Sequence, residues 1–261
     1  MPKRRADWLF GRVTAKAVVA EVLSDAFPGY WPLHAIEIPS QSNGMPYARV
    51  APEAGPVAGF EPGERLPVSV SISHAEGHAL CAATCDGQSG EGPRRMIGID
   101  LGRVEPRSHE FLRVFFTDEE QRFVRDAPAA GRDLRSNLVW CAKEAVLKAL
   151  GLGLTVDTNL LSCQPEPGVS DPLEWPLAPG DGSWRPFVAR CGPALVPGGG
   201  TIRGIWRSFP GFVGALAAYP SLLGAPRPRS FEVDPALASV VCRTVTPQRC
   251  PARTGPSEKP A

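Results

Sequence analysis

The clearest helical pattern in the chain covers residues 134–150 and closes on Gly151. Glycine takes up the left-handed conformation that ends a helix without a Cβ penalty, so the stop is readable in the sequence. A second helical segment, 7–27, lies upstream. Leu9, Val13, Ala17, Ala20, Leu23 and Phe27 recur there at helical spacing, Asp7 is a capping side chain, and Pro28-Gly29 ends the run. Other segments follow a different period. Residues 68–73 and 79–84 read as two strands around a tight turn at Glu76-Gly77, and 96–100 as a short buried strand ending on a carboxylate. Thr117 and Glu120 stand in capping-box register for a helix to about Asp126, and strands are expected around 201–208 and 212–218.

Two stretches echo one another. VSISHAEGHALCAAT and IRGIWRSFPGFVGALAAY each read as strand, turn and small-residue strand, which suggests a duplicated unit. The polar, glycine-rich segment 86–95 is the natural boundary, giving an N-terminal half, 1–95, and a C-terminal half, 96–224. Residues 51–67, rich in Pro, Gly and Glu, read as an exposed loop. Residues 225–261 are rich in Pro and Arg without sustained periodicity and are expected to form a disordered tail.

Composition narrows the partners. Lys plus Arg (28) nearly balances Asp plus Glu (27), so bulk charge favours neither nucleic acid nor an acidic membrane. No apolar run approaches the ~20 residues of a membrane helix. After the basic start, Trp8-Leu9-Phe10 is too short for a signal-peptide core, so the expected location is the cytoplasm. The seven cysteines form no C-x-x-C pair and are read as reduced, buried thiols.

The chemistry-bearing segment is Trp140-Cys-Ala-Lys-Glu-Ala-Val-Leu-Lys148. On a helix, Trp140, Glu144 and Lys148 share one face. An exposed Glu–Lys pair at that spacing stabilises a helix by only ~0.3–0.5 kcal/mol. The same face could instead hold a metal ligand one turn from a phosphate-binding ammonium. Asp100 adds a second carboxylate at the end of an apolar strand, although a turn-forming Asp would also suit that place. Asp100 and Glu144 together are the kind of oxygen ligands Mg²⁺ takes when substrate phosphates and water complete its octahedron. Ser73 and His74 end another strand and could donate to phosphate, or could be ordinary loop residues. Arg12 and Lys16 form a basic edge on the first helix.

These pieces, in this order, resemble the 4′-phosphopantetheinyl transferases of the larger, single-chain, surfactin-synthetase-activating type. The resemblance runs from about Arg5 to Pro220. It rests on WLFGRVTAK, the Gly-x-Pro at Gly44-Met45-Pro46, SISH at 71–74, GID at 98–100, FFT with Glu120, and WCAKEAVLKALGLGL. It implies an α+β fold of two similar halves in pseudo-twofold arrangement, each a small antiparallel sheet packed on a long helix, with coenzyme A between them. The implied reaction moves the 4′-phosphopantetheine arm of coenzyme A to a serine of an acyl or peptidyl carrier protein, releasing 3′,5′-ADP, by a monomeric enzyme. Carried over by position, Asp100 and Glu144 are Mg²⁺ ligands and Lys148 is a pyrophosphate contact. Ser73 and His74 then meet nucleotide phosphates, and Arg12 and Lys16 fall where basic residues reach the coenzyme A phosphates. Glu144 is the first candidate for the base that takes the serine proton.

Two positions depart from the pattern. Gly102 stands where the family usually has the second carboxylate of Asp-x-Glu, and Met45 where the Gly-x-Pro motif often carries a basic residue. These departures sustain an alternative, a degenerate homologue that binds coenzyme A or a carrier protein without transfer. An active enzyme with fewer protein ligands to its metal is the leading expectation.

Overall fold

The computed structural model describes residues 2–27, 29–85, 96–166, 184–219 and 241–245. The first helix, α1 (Pro2–Ala26), begins before Asp7, which therefore lies inside the helix rather than capping it. Ala15, Val18, Val19, Val22 and Leu23 are buried along one stripe of α1. They pack on the hairpin of β3 (Val68–Ala75) and β4 (His78–Cys85), which follows the short antiparallel pair β1 (Ile36–Glu37) and β2 (Arg49–Val50). Glu76 and Gly77 turn the hairpin with φ of 49° and 79°. Two successive positive φ values are what a tight hairpin turn needs to match strand twist.

Alternation gives β3 two different faces. Val68 and Val70 belong to the core under α1, together with Cys81, Ala83 and Cys85 of β4. Ser69, Ser71 and Ser73 point to the other side and are buried there. The stretch 51–67 is a largely exposed loop, as expected, tethered by Phe60, which packs against Phe27 and Trp31 with ring centroids 5.1 and 5.8 Å away. β4 also pairs antiparallel with β10 (Val241–Val245), making a sheet ordered β10-β4-β3. A strand at 241–245 departs from the expected disordered tail. The β-branched Val-Cys-Arg-Thr-Val suits a strand, but a single short run lacks the repeated pattern by which strands are recognised. The rest of 225–261 and the boundary segment 86–95 lie outside the described residues.

The second sheet, all antiparallel, is ordered β5-β9-β8-β7-β6, from β5 (Met96–Arg103), β6 (Leu161–Pro165), β7 (Arg185–Cys191), β8 (Gly200–Phe209) and β9 (Phe212–Tyr219). The helix α4 (Arg132–Ala149) covers one face through Leu138, Ala142, Ala145 and Val146, packed on Val213, Ala215, Trp206 and Phe187. Gly151, at φ 72°, ends it as the sequence predicts. Two short helices, α2 (His109–Phe115) and α3 (Asp118–Arg125), precede α4. Trp140 anchors α2 by edge-on packing against Phe111 and Phe115. Among the described residues no helix is long and apolar enough to cross a membrane.

Glu120 completes the capping box with Thr117 and does a second task. Its carboxylate meets Lys143 Nζ at 2.6 Å and accepts from the Cys163 N–H at 2.8 Å. Both side chains are fully buried, and Lys143 also donates to the carbonyls of Phe115 and Thr158. This network ties α3, α4 and β6 together. Removing one partner strands the other charge in the core, so Glu120→Ala should lose about 3–5 kcal/mol of stability in urea melts.

The two sheets meet along β3 and β5. The hydroxyls of Ser69, Ser71 and Ser73 accept the backbone N–H groups of Ile97, Ile99 and Leu101 at 3.1, 3.0 and 3.1 Å. Both residue series rise together, so the strands run parallel, with serine oxygens standing where carbonyls of a neighbouring strand would be. Behind this seam Leu80 and Ala82 pack on Ile97, Ile99, Leu101 and Leu216. Ser71→Ala leaves the Ile99 N–H buried without an acceptor and should lower stability by about 1–3 kcal/mol, read from the urea midpoint at constant m-value.

Candidate active site

β5 presents Gly98, Asp100 and Gly102 to α4. A Cβ at position 98 would collide with the Ala145 carbonyl and the Ala149 amide, so glycine is what allows the helix to lie directly on the strand. That close approach brings Asp100 beneath the helix face carrying Glu144 and Lys148. Asp100 is only 7% exposed. Its Oδ1 accepts from Lys148 Nζ at 2.7 Å and from the Ser73 hydroxyl at 2.8 Å. Lys148 Nζ also donates to the Ile99 carbonyl at 3.1 Å and lies 3.8 Å from Glu144 Oε2.

The electrostatics follow from this crowding. Burial raises the Glu144 pKa, Asp100 raises it further, and Lys148 and Arg107 only partly oppose them. Burial works against the Lys148 ammonium, but Asp100 and Glu144 outweigh it and hold its pKa above the usual lysine value. One ammonium thus serves two carboxylates that repel each other, an arrangement that favours entry of a further cation. Among the described residues no group of three or more His, Cys, Asp or Glu side chains could hold a metal ion. Asp100 and Glu144 are the available pair, and two carboxylates suit Mg²⁺, which keeps waters and takes substrate phosphates.

Beside this cluster opens a cavity of about 530 Å³. Its walls are the 41–46 loop and Arg65 from the N-terminal half and Lys148 with residues 151–155 from the C-terminal half; 68–72 of β3 also line it. Met45 belongs to this wall. A Cβ at Gly151 would come within 3.1 Å of Met45 Sδ, so the thioether reaches across to the end of α4.

The structure gathers Asp100, Glu144, Lys148 and Ser73 and leaves the other candidates apart. Ser73 has both hydrogen-bonding capacities engaged, donating to Asp100 and accepting from Leu101, so it holds the carboxylate in place. His74 sits on the opposite face of β3, exposed beside Gly11 of α1. Arg12 donates to the Ser40 hydroxyl at 2.8 Å and lies over the Trp8 ring. Neither Arg12, Lys16 nor His74 lines the cavity. Sequence reading missed Arg107, which acts electrostatically on Glu144. Arg107 Nε donates to Asn137 Oδ1 at 2.9 Å, and buried Asn137 donates to the carbonyls of Glu105 and Asp133. A buried asparagine on the helix face of Cys141, Glu144 and Lys148 is the signal that could have found it.

Gly102 has a packing explanation. Its φ is not positive, yet a Cβ there would lie 2.7 Å from Cys141 Sγ. The thiol is fully buried, and burial, then Asp100, pushes its pKa well above the ordinary cysteine value. The space of a side chain at 102 is therefore already taken.

Residues 96–189 match the family described as the 4′-phosphopantetheinyl transferase superfamily. The matched stretch, about a third of the chain, begins with β5 and carries Asp100, Glu144 and Lys148. No curated protein matches the sequence.

The contact between positions 102 and 141 makes the two energetically coupled. Gly102→Ala alone should destabilise by about 1–3 kcal/mol through overpacking. Adding Cys141→Ala should recover part of that loss, so a double-mutant cycle in urea should show a clear coupling energy.

Proposed function

We propose that the protein is an active, Mg²⁺-dependent 4′-phosphopantetheinyl transferase that converts an apo acyl or peptidyl carrier protein to its holo form. In this reading it is a single-chain enzyme of the surfactin-synthetase-activating type, whose two sheet-and-helix halves are copies of one unit. The observation that carries it is the convergence of Asp100, Glu144 and Lys148 beside a cavity walled by both halves, within the segment that matches the family.

The reaction joins a carrier serine oxygen to the phosphorus that bears the pantetheine arm and breaks that phosphorus's bond to the oxygen of the departing 3′,5′-ADP. Asp100 and Glu144 would hold Mg²⁺, which when bound supplies charge neutralisation for the pyrophosphate. Lys148, fixed by Asp100 and the Ile99 carbonyl, faces the cavity and offers an ammonium to the same phosphates. Glu144 is the candidate acceptor of the serine proton. Ser73 and Lys148 hold Asp100 so that no reorganisation is needed when charge shifts. The non-transferring alternative, a degenerate homologue that binds coenzyme A or a carrier protein, predicts no gain of carrier mass.

Incubation of an apo carrier protein with coenzyme A and Mg²⁺ should add the mass of the phosphopantetheine arm. Asp100→Ala and Glu144→Ala should each lower the rate by at least ~100-fold while the protein stays folded. Lys148→Ala should weaken coenzyme A binding as well as turnover. An unchanged carrier mass with several apo carriers, or near-normal rates in either carboxylate variant, would overturn this assignment.

A further inference from the structure

Among the described residues two cations line the cavity, and only one of them is accounted for. Lys148 is engaged with Asp100, Glu144 and a carbonyl. The other is Arg65, which makes no ion pair and no side-chain hydrogen bond among the described residues. Its guanidinium carbon instead lies over the Tyr47 ring, 5.0 Å from the centroid. A cation–π contact draws an arginine over the ring without using its N–H groups, which stay free to donate to phosphate.

The backbone holds this residue firmly in place. Arg65 bridges to Arg49, the following Leu66 N–H donates to the Ala48 carbonyl, and buried Leu66 sits in the core under α1. Arg65 thus precedes β3, whereas Lys148 is anchored on Ile99 and Asp100, opposite Ser71 and Ser73 farther along that strand. A ligand that satisfies both cations carries two anionic groups separated by a spacer. Apolar Val70, Met45 and Leu152 line the same cavity and suit an uncharged, flat part between or beside them.

Resting on the coenzyme A reading above, we propose that Arg65, held over the Tyr47 ring, binds the 3′-phosphate of the ribose while Lys148 meets the pyrophosphate. Coenzyme A has this pattern of charge, with a pyrophosphate on the 5′ side of the ribose and a phosphomonoester on the 3′ oxygen. The arginine then supplies, from the segment just before β3, the basic contact that Met45 does not provide in the Gly-x-Pro loop. The site would discriminate coenzyme A from dephospho-coenzyme A, which differ only in that phosphate.

Titration calorimetry of the full chain with coenzyme A and with dephospho-coenzyme A tests the assignment. The wild-type protein should bind coenzyme A at least tenfold more tightly. Arg65→Gln should weaken coenzyme A binding tenfold or more and leave dephospho-coenzyme A within twofold, abolishing the preference. Arg65→Lys should retain part of it, because the charge remains without the guanidinium. Arg65 is exposed, so an unchanged melting temperature will show that the variants fold. Equal losses for both ligands, or a preference that survives in Arg65→Gln, would overturn the role of Arg65. Failure of the wild-type protein to bind either ligand would instead overturn the coenzyme A reading itself.

Discussion

Three serine hydroxyls hold the three-stranded and five-stranded sheets in register. β5 is the edge strand of the five-stranded sheet, and an edge leaves N–H groups without partners. Ser69, Ser71 and Ser73 accept those of Ile97, Ile99 and Leu101, so β3 and β5 are joined without sharing a backbone ladder. A side-chain seam of this kind has a defined spacing, because a one-residue slip would turn valines toward the amides. The last serine also donates to Asp100, so the register that joins the sheets places this carboxylate as well. The position of Asp100 is set from above by Gly98 under α4 and from the side by Ser73.

Much of this was legible in the residues. The hairpin turn at Glu76-Gly77, the capping box at Thr117 and Glu120 and the Gly151 stop are local devices whose side-chain chemistry specifies the geometry. The grouping of Glu144 with Lys148 followed from helical spacing. What was not legible depends on partners distant in sequence. The Val-Ser alternation of β3 announced two faces but not that the serine face would meet backbone amides. His74 and Ser73 are neighbours in sequence, yet strand alternation sends one to Asp100 and the other to α1. Gly102 read as a missing ligand because the thiol that occupies its space comes from a helix almost forty residues later.

The buried charges divide into two kinds. Glu120 and Lys143 are matched, fully enclosed and satisfied by backbone partners, an arrangement that fixes structure. Asp100, Glu144 and Lys148 are left unbalanced, with two carboxylates, one ammonium and an open cavity beside them. Both clusters draw on α4, with Lys143 on one side and Glu144 on the other. The same helix therefore holds one ion pair closed and leaves the other group able to respond to a ligand.

The strand at 241–245 has a consequence for how the protein is made. It completes the N-terminal sheet by pairing with 79–83, although most of the chain separates the two. During synthesis, β4 emerges early and must wait, one edge bare, while the whole C-terminal half leaves the ribosome. Contacts that close such long loops form slowly, and exposed strand edges are where nascent chains associate wrongly. The first half of the molecule is thus the last to be finished, and its assembly is timed by the arrival of a segment from the far end of the polypeptide.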